Sequence, residues 1–149
     1  MCNELSIPEE IDDIENIARV LYSPLLVEDG VVSASAFHLR NLKRPEEYVS
    51  VFRHDYVIPT LKNTSFIRVP EDNEMYGYAL LNVGKCRGIS FKEIKTEVLP
   101  HPKEKNPSHA GIHYNKGNET IKGICIDPDF MIITQMLANN SVLYPFEGQ

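Results

Sequence analysis

The segment NPSHAGIHYNKG, residues 106–117, is the tightest local constraint on how this chain folds. His109 and His113 stand four positions apart, the spacing that puts two imidazoles on one face of a zinc-binding helix. The residues around them oppose a helix. Pro107 precedes the pair, Asn115 and Gly117 signal a turn, and Gly111 in the middle costs about 1 kcal/mol relative to alanine in a helix. No glutamate adjoins His109, so the general base of an HExxH zinc protease is missing. As a strand, the segment turns His109, Gly111 and His113 to one side and Ser108, Ala110 and Ile112 to the other. The two imidazoles then stand on backbone positions about 13 Å apart, at ~3.3 Å per residue. One ion with ligand distances near ~2 Å does not span that gap. The expectation is a strand with Ala110 and Ile112 toward the core and no metal. His109 then faces solvent or a cleft, Gly111 leaves room beside it, and His113 is a bystander.

The rest of the chain is read against that strand. Ser6 to Tyr22 predicts a first helix. Ser6 suits an N-cap, Pro8 a first turn, and Ile11, Ile14, Ile17, Ala18 and Leu21 recur at helical steps before Pro24. Asp29-Gly30 predicts a turn between short strands at Leu25–Val27 and Val31–Ser33. SASAFHLR fits either a strand or a helical turn, and Pro45-Glu46-Glu47 a helical turn or loop. YVSVFRHDYVIP predicts a strand with Val49, Val51 and Arg53 on one side and Tyr48, Ser50 and Phe52 on the other. Residues 60–75 read as loop. Residues 76–84 alternate as a strand, against a competing helix over 78–87. Ile94, Thr96 and Val98 mark another strand, and IKGICI is a short strand or the lead-in to a helix. Asp127-Pro128 predicts the N-cap and first position of a helix through Ala138, with Ile132, Ile133, Met136 and Leu137 as its stripe and Asn139-Asn140 capping its end. The tail VLYPFEGQ is expected to pack poorly beyond Phe146. With no repeat, low-complexity stretch or linker, residues 1–149 read as a single α+β domain. Its sheet is mostly antiparallel, with helices near the N- and C-termini.

Bulk properties narrow the function. A chain of 149 residues, 42% hydrophobic, is long enough for a core without staples. The net charge of −6 argues against non-specific DNA binding, which depends on cationic surface. HLRNLKR, residues 38–44, runs against that balance with three cations and no carboxylate. PEEIDDIEN reads as a solvated acidic face. Cys2, Cys86 and Cys125 lie far apart, which fits a reducing compartment. MCNELSIPEE lacks the basic and apolar regions of a signal peptide, and no apolar run reaches the ~18 residues of a membrane span. The expectation is a cytoplasmic protein without a membrane role.

Candidate chemistry gathers in three places. Ser33, Ser35, His38 and Arg40 crowd one short stretch, where a planar guanidinium and two hydroxyls suit a phosphate or carboxylate. The alternative is a turn of small residues between core strands. Arg53 either joins that anion site or snorkels at a sheet edge. His109 has the ordinary pKa of an acid/base or a phosphate donor. A Ser35–His109–Asp55 triad has no GxSxG elbow to support it. Cys86 reads as a buried structural thiol rather than a nucleophile. No dinucleotide or P-loop motif is present, so no cofactor is expected.

DGVVSASAFHLR (29–40), YVSVFR (48–53) and NPSHAGI (106–112) together resemble a group of small bacterial proteins labelled hypothetical. That group shares a D-G-x-x-S … A-F … S-V … P-x-H-A pattern, which here would span residues 20 to 115. Asp29, Gly30, Ser33 or Ser35, Ala36, Phe37, Ser50, Val51, Pro107, His109 and Ala110 carry the resemblance. It implies that His109 matters more than His113, which lies outside the pattern, and it brings no activity with it.

Two functions are therefore expected as alternatives. One is a pocket for a phosphate-bearing molecule, a nucleotide or an RNA end. His109 would be the acid/base there, with Arg40 holding the anion, Ser35 donating to it, and His38 and Arg53 as further ligand-binding candidates. The other is a non-catalytic interaction or accessory module. It would work through a sheet edge or the acidic first helix with a protein partner from the same operon.

Overall fold

The computed structural model describes residues 7–23, 26–28, 30–56, 74–104 and 106–146. In chain order the elements are β1 (Asn16–Ser23), β2 (Val27–Glu28), β3 (Val31–Val32), a 3₁₀ turn (Ala34–Phe37), β4 (Val49–Arg53) and β5 (Glu74–Asn82). Then come α1 (Val83–Arg87), β6 (Ser90–Phe91), β7 (Ile94–Pro100), β8 (His109–Lys116), β9 (Glu119–Thr120), α2 (Pro128–Asn140) and β10 (Val142–Pro145). One antiparallel sheet runs in the order β10-β5-β1-β4-β8-β7-β6, with β9 added to β8, and β2 pairs β3 separately. An antiparallel sheet with a helix late in the chain fits the expected mixture of α and β.

The expected N-terminal helix is absent. Residues 7–15 turn, and from Asn16 the chain is a strand in the interior of the sheet. The apolar run IARVLY misleads because β1 is covered on both faces. Ile17, Ala18, Val20, Leu21 and Tyr22 are all buried, and such a strand carries apolar residues at nearly every position rather than every second one. Ile14, which a helical stripe would bury, is 82% exposed. Ser6 lies outside the described residues.

Arg53 corrects a second expectation. It shares the core face with Val49 and Val51, as the alternation of β4 requires, but it does not snorkel at an edge. Only 2% exposed, it grips Glu15 with Nε and Nη2, each at 2.9 Å from a carboxylate oxygen. Its remaining donors go to the carbonyls of Pro8 and Glu10. The guanidinium thereby replaces the missing helix as the device that holds residues 8–15 against the sheet.

The region read as either strand or helix is both in succession. β5 ends at Asn82, whose side chain accepts from the Lys85 N–H at 2.9 Å and so caps α1. SASAFHLR resolves into the 3₁₀ turn, capped by Ser33. IKGICI is not a strand, while the preceding Glu119–Thr120 is. Of the expected 60–75 loop, residues 60–73 lie outside the described residues, and Glu74 and Met75 open β5. α2 starts as anticipated, with Asp127 accepting from the Asp129 N–H at 2.9 Å. Its buried face is Phe130, Ile133, Thr134, Leu137 and Ala138, so Ile132 points to solvent, and Ser141 rather than the asparagine pair caps its end. The tail continues as β10 against β5, and residues 147–149 lie outside the described residues.

The core lies between one face of the sheet and the layer of α2 with the 3₁₀ turn. Ile17, Leu81, Val51, Ala110, Ile112, Tyr114 and Val98 supply the sheet side, and Phe37, Phe130, Ile133 and Leu137 the other. Tyr114, fully buried, donates its hydroxyl to the Phe37 carbonyl at 2.6 Å and ties the layers together.

Removing one partner of a buried ion pair leaves a charge without compensation, at a cost of about 3–5 kcal/mol. Glu15→Ala is expected to lose that much in urea denaturation, and Glu15→Leu combined with Arg53→Met to regain most of it. A Glu15→Ala midpoint equal to the parent would contradict the strut role of Arg53.

Candidate functional site

β8 alternates as its sequence demands. Ala110, Ile112 and Tyr114 enter the core, and His109, Gly111 and His113 turn to the opposite face of the sheet. Gly111 creates a notch there. A Cβ at position 111 would stand 2.3 Å from the Tyr48 ring and 3.0 Å from the His101 ring, so those two rings occupy the space a side chain would fill. Tyr48 enters from the residue before β4, and His101 from the residue after β7. The backbone fixes His101 by its N–H, which donates to the His109 carbonyl at 2.9 Å.

Four rings meet over the notch. Tyr48 stacks on His101 with centroids 4.0 Å apart and planes 3° apart. His113 lies 5.2 Å from the Tyr48 centroid and His109 5.8 Å from it, edge-on. His101 and His113 bring their Nε2 atoms to 2.7 Å. At that distance one nitrogen carries the proton and the other accepts it, because two N–H groups would repel. His109 has a different role. Its Nδ1 is 2.9 Å from the His101 carbonyl oxygen, which only accepts, so Nδ1 is the protonated nitrogen.

Burial divides the cluster. His109 is 5% exposed, whereas Tyr48, His101 and His113 are half-buried and reach solvent. Burial lowers the pKa of all three histidines. The Lys103 charge adds to the effect at His101 and His109, Glu47 opposes it at His101 and His113, and Glu97 also opposes it at His113. The surface therefore holds neutral imidazoles near neutral pH, beside one lysine and two carboxylates.

The other expected ligand-binding residues lie elsewhere and are engaged. Ser35 donates its hydroxyl to the Ser33 Oγ at 2.8 Å within the 3₁₀ turn. That turn covers the core face, which puts the sheet between it and His109. His38 places Nε2 at 3.1 Å from the Thr134 hydroxyl on α2. Arg40 binds the Glu46 carboxylate through Nε and Nη2, both at 3.0 Å, and the Tyr22 hydroxyl through Nη1. Arg53 is consumed by Glu15. Ser35, His38, Arg40 and Arg53 thus do not converge with His109 on one anion pocket. Asp55 accepts from the Asn16 backbone N–H at 3.1 Å, whereas the His109 Nδ1 proton goes to the His101 carbonyl and Ser35 lies across the sheet, so Ser35, His109 and Asp55 form no triad. Burial pushes the Cys86 thiol up to about 12, which leaves it inert as a nucleophile.

Tyr48, His101 and His113 are what sequence reasoning missed. The alternation of β4 and the gap at Gly111 pointed toward Tyr48. His101, in the stretch Pro100-His101-Pro102, carried no comparable signal.

The lowered pKa values have a stability consequence. The unfolded chain titrates near the ordinary histidine value of about 6.5, and the folded chain at lower pH. Between those values the unfolded state binds more protons, so this contribution to stability is fully present above about pH 6.5 and is lost as pH falls toward the folded values. Urea midpoints of the metal-free protein, followed from about pH 7.5 to about pH 5.5, are expected to fall, with a shallower slope in His109→Gln. A flat or opposite trend would contradict the burial of neutral imidazoles.

Comparison of the chain with known proteins finds no matching family model, no matching curated protein and no matching solved structure.

Proposed function

We propose that this domain binds a small ligand on the Tyr48–His101–His113 surface and that the ligand carries a phosphate, as in a nucleotide or an RNA end. The observation that supports this is the pair of Nε2 atoms at 2.7 Å on a half-exposed surface. Such a pair offers one N–H donor and one lone pair side by side. A phosphate oxygen that breaks the contact gains an imidazole donor and comes near the Lys103 ammonium. The Tyr48 ring keeps His101 from rotating away. In this reading the proton-carrying role moves from His109, whose Nδ1 proton is committed to a carbonyl, to the His101–His113 pair. Arg40 and Ser35 have no part in it.

Inorganic phosphate and nucleoside mono-, di- and triphosphates, screened by thermal shift in buffer containing EDTA, test this. A ligand at a hundred times its dissociation constant stabilises by about 2.7 kcal/mol. The expected result is a raised melting temperature for at least one phosphate compound, abolished by His101→Gln and reduced by Lys103→Ala. An unresponsive protein, or variants that respond like the parent, would sink the proposal.

A second reading rests on a different surface. The turn at Leu42 and the loop carrying Ile124 and Ile126 lie side by side, joined by the Ile124 N–H to the Asn41 side-chain oxygen at 3.2 Å and the Gly123 N–H to the Glu46 carbonyl at 2.8 Å. All three aliphatic side chains are largely exposed. An aliphatic ridge of this kind suits a protein partner, with the product of a neighbouring gene the first to test. Co-purification with that product is expected to be lost in Ile126→Asp, with the melting temperature unchanged. Retained co-purification would remove this reading.

A further inference from the structure

We propose that His101 and His113 form an open chelate for one divalent first-row transition-metal ion of the zinc, nickel or copper kind. The proposal uses the same two imidazoles as the phosphate reading, but it needs no phosphate. Two nitrogens bound to one such ion at ~2.0–2.1 Å stand about 2.9 Å apart at a right angle and about 3.3 Å apart at a tetrahedral one. The two Nε2 atoms are 2.7 Å apart, so a chelating pair needs them to separate by about 0.2–0.6 Å, to give up the proton they share and to turn both lone pairs toward the ion.

The pair differs from the one first suggested by the sequence. His109 and His113 are four residues apart along one strand, with Tyr48 between them. His113 stands on β8 and His101 directly follows the neighbouring β7, and the two meet over Gly111, where no side chain keeps them apart. The backbone of His101 is held by its bond to the His109 carbonyl and its ring by the stacked Tyr48, so part of the rotamer freedom is already lost before an ion binds. Both imidazoles are half-exposed, so an ion can enter and water can complete its shell. Burial keeps them neutral near neutral pH, the form that ligates. The Glu47 and Glu97 carboxylates favour a cation at His113, and the Lys103 ammonium opposes one at His101. Imidazole ligands suit zinc, copper and nickel and are poor for magnesium or calcium. Among the described residues no three His, Cys, Asp or Glu side chains form a metal-holding group. The proposed chelate therefore has two protein ligands, and it binds more weakly than a four-ligand structural zinc site. Its open positions are where phosphate oxygens would attach.

Isothermal titration of the full chain with nickel chloride and with zinc chloride, in a phosphate-free buffer, tests the chelate. The expected result is one ion per chain. Affinity is expected to fall at least tenfold in His101→Gln and in His113→Gln, and to be unchanged in Cys125→Ser. Where a variant fails to fold, the imidazole nitrogen shifts of the parent on zinc addition decide, and the displacement is expected at His101 and His113 Nε2. No binding heat, variants that bind like the parent, or nitrogen shifts elsewhere would overturn the proposal. Because the phosphate screen runs in EDTA, each idea can fail without the other.

Discussion

The two-residue period of β8 is the constraint on which both the core and the site depend. Ala110, Ile112 and Tyr114 commit one face to the apolar layer under α2, and the Tyr114 hydroxyl bridges to the 3₁₀ turn. Burial on that face fixes the register, since a slip by one residue would turn the histidines into the core. With the register set, His109, Gly111 and His113 have one direction left to face. The site is thus a by-product of core packing, and the glycine between the two histidines decides that it is a cluster of rings rather than two separate side chains.

Four arginines in this protein act as struts. Arg19 donates to the carbonyls of Ala36 and Ser50 and so ties β1 to the 3₁₀ turn and to β4. Arg40 closes its own loop on Glu46, and Arg53 anchors residues 8–15. Arg87 reaches Glu97, Asp13 and the carbonyls of Ile11 and Val98. Guanidinium suits this work because its planar donors satisfy several carbonyls or one carboxylate at once. The same geometry suits an external anion, so a sequence shows the capacity without showing the use. What separates the two is whether a carboxylate or carbonyl arrives from elsewhere in the fold, and Glu15 lies 38 positions from Arg53.

Legibility in the sequence followed how local each signal was. The strand at 109–116, the opening of α2 at Asp127-Pro128, the β2–β3 hairpin and the core faces of β4 and β7 rest on neighbouring residues, and all were readable. β1 was not, because covering both faces of a strand erases the alternation that identifies it. The buried face of α2 was misjudged because Phe130 and Thr134 follow the position of Tyr114 and His38 rather than hydropathy alone. At the site, His109 and the room beside Gly111 were visible, whereas the meeting of His101 with His113 depends on the pairing of β7 with β8. No local pattern reports that pairing.

The placement of Pro145 bears on what happens between molecules. β10 is the outer strand of the sheet, and the Phe146 N–H donates inward to the Tyr76 carbonyl at 2.9 Å. Alternate residues of an antiparallel strand bond alternately inward and outward, so Val142 and Tyr144 share the inward direction and Leu143 and Pro145 face out. The outward position that would present a second donor is occupied by the residue that has none. Among the described residues of β10, only Leu143 offers an outward N–H. A second chain laid against β10 finds one rung fewer at Pro145 than an unbroken edge strand offers, which makes this edge of exposed valine and tyrosine a poorer template for fibres.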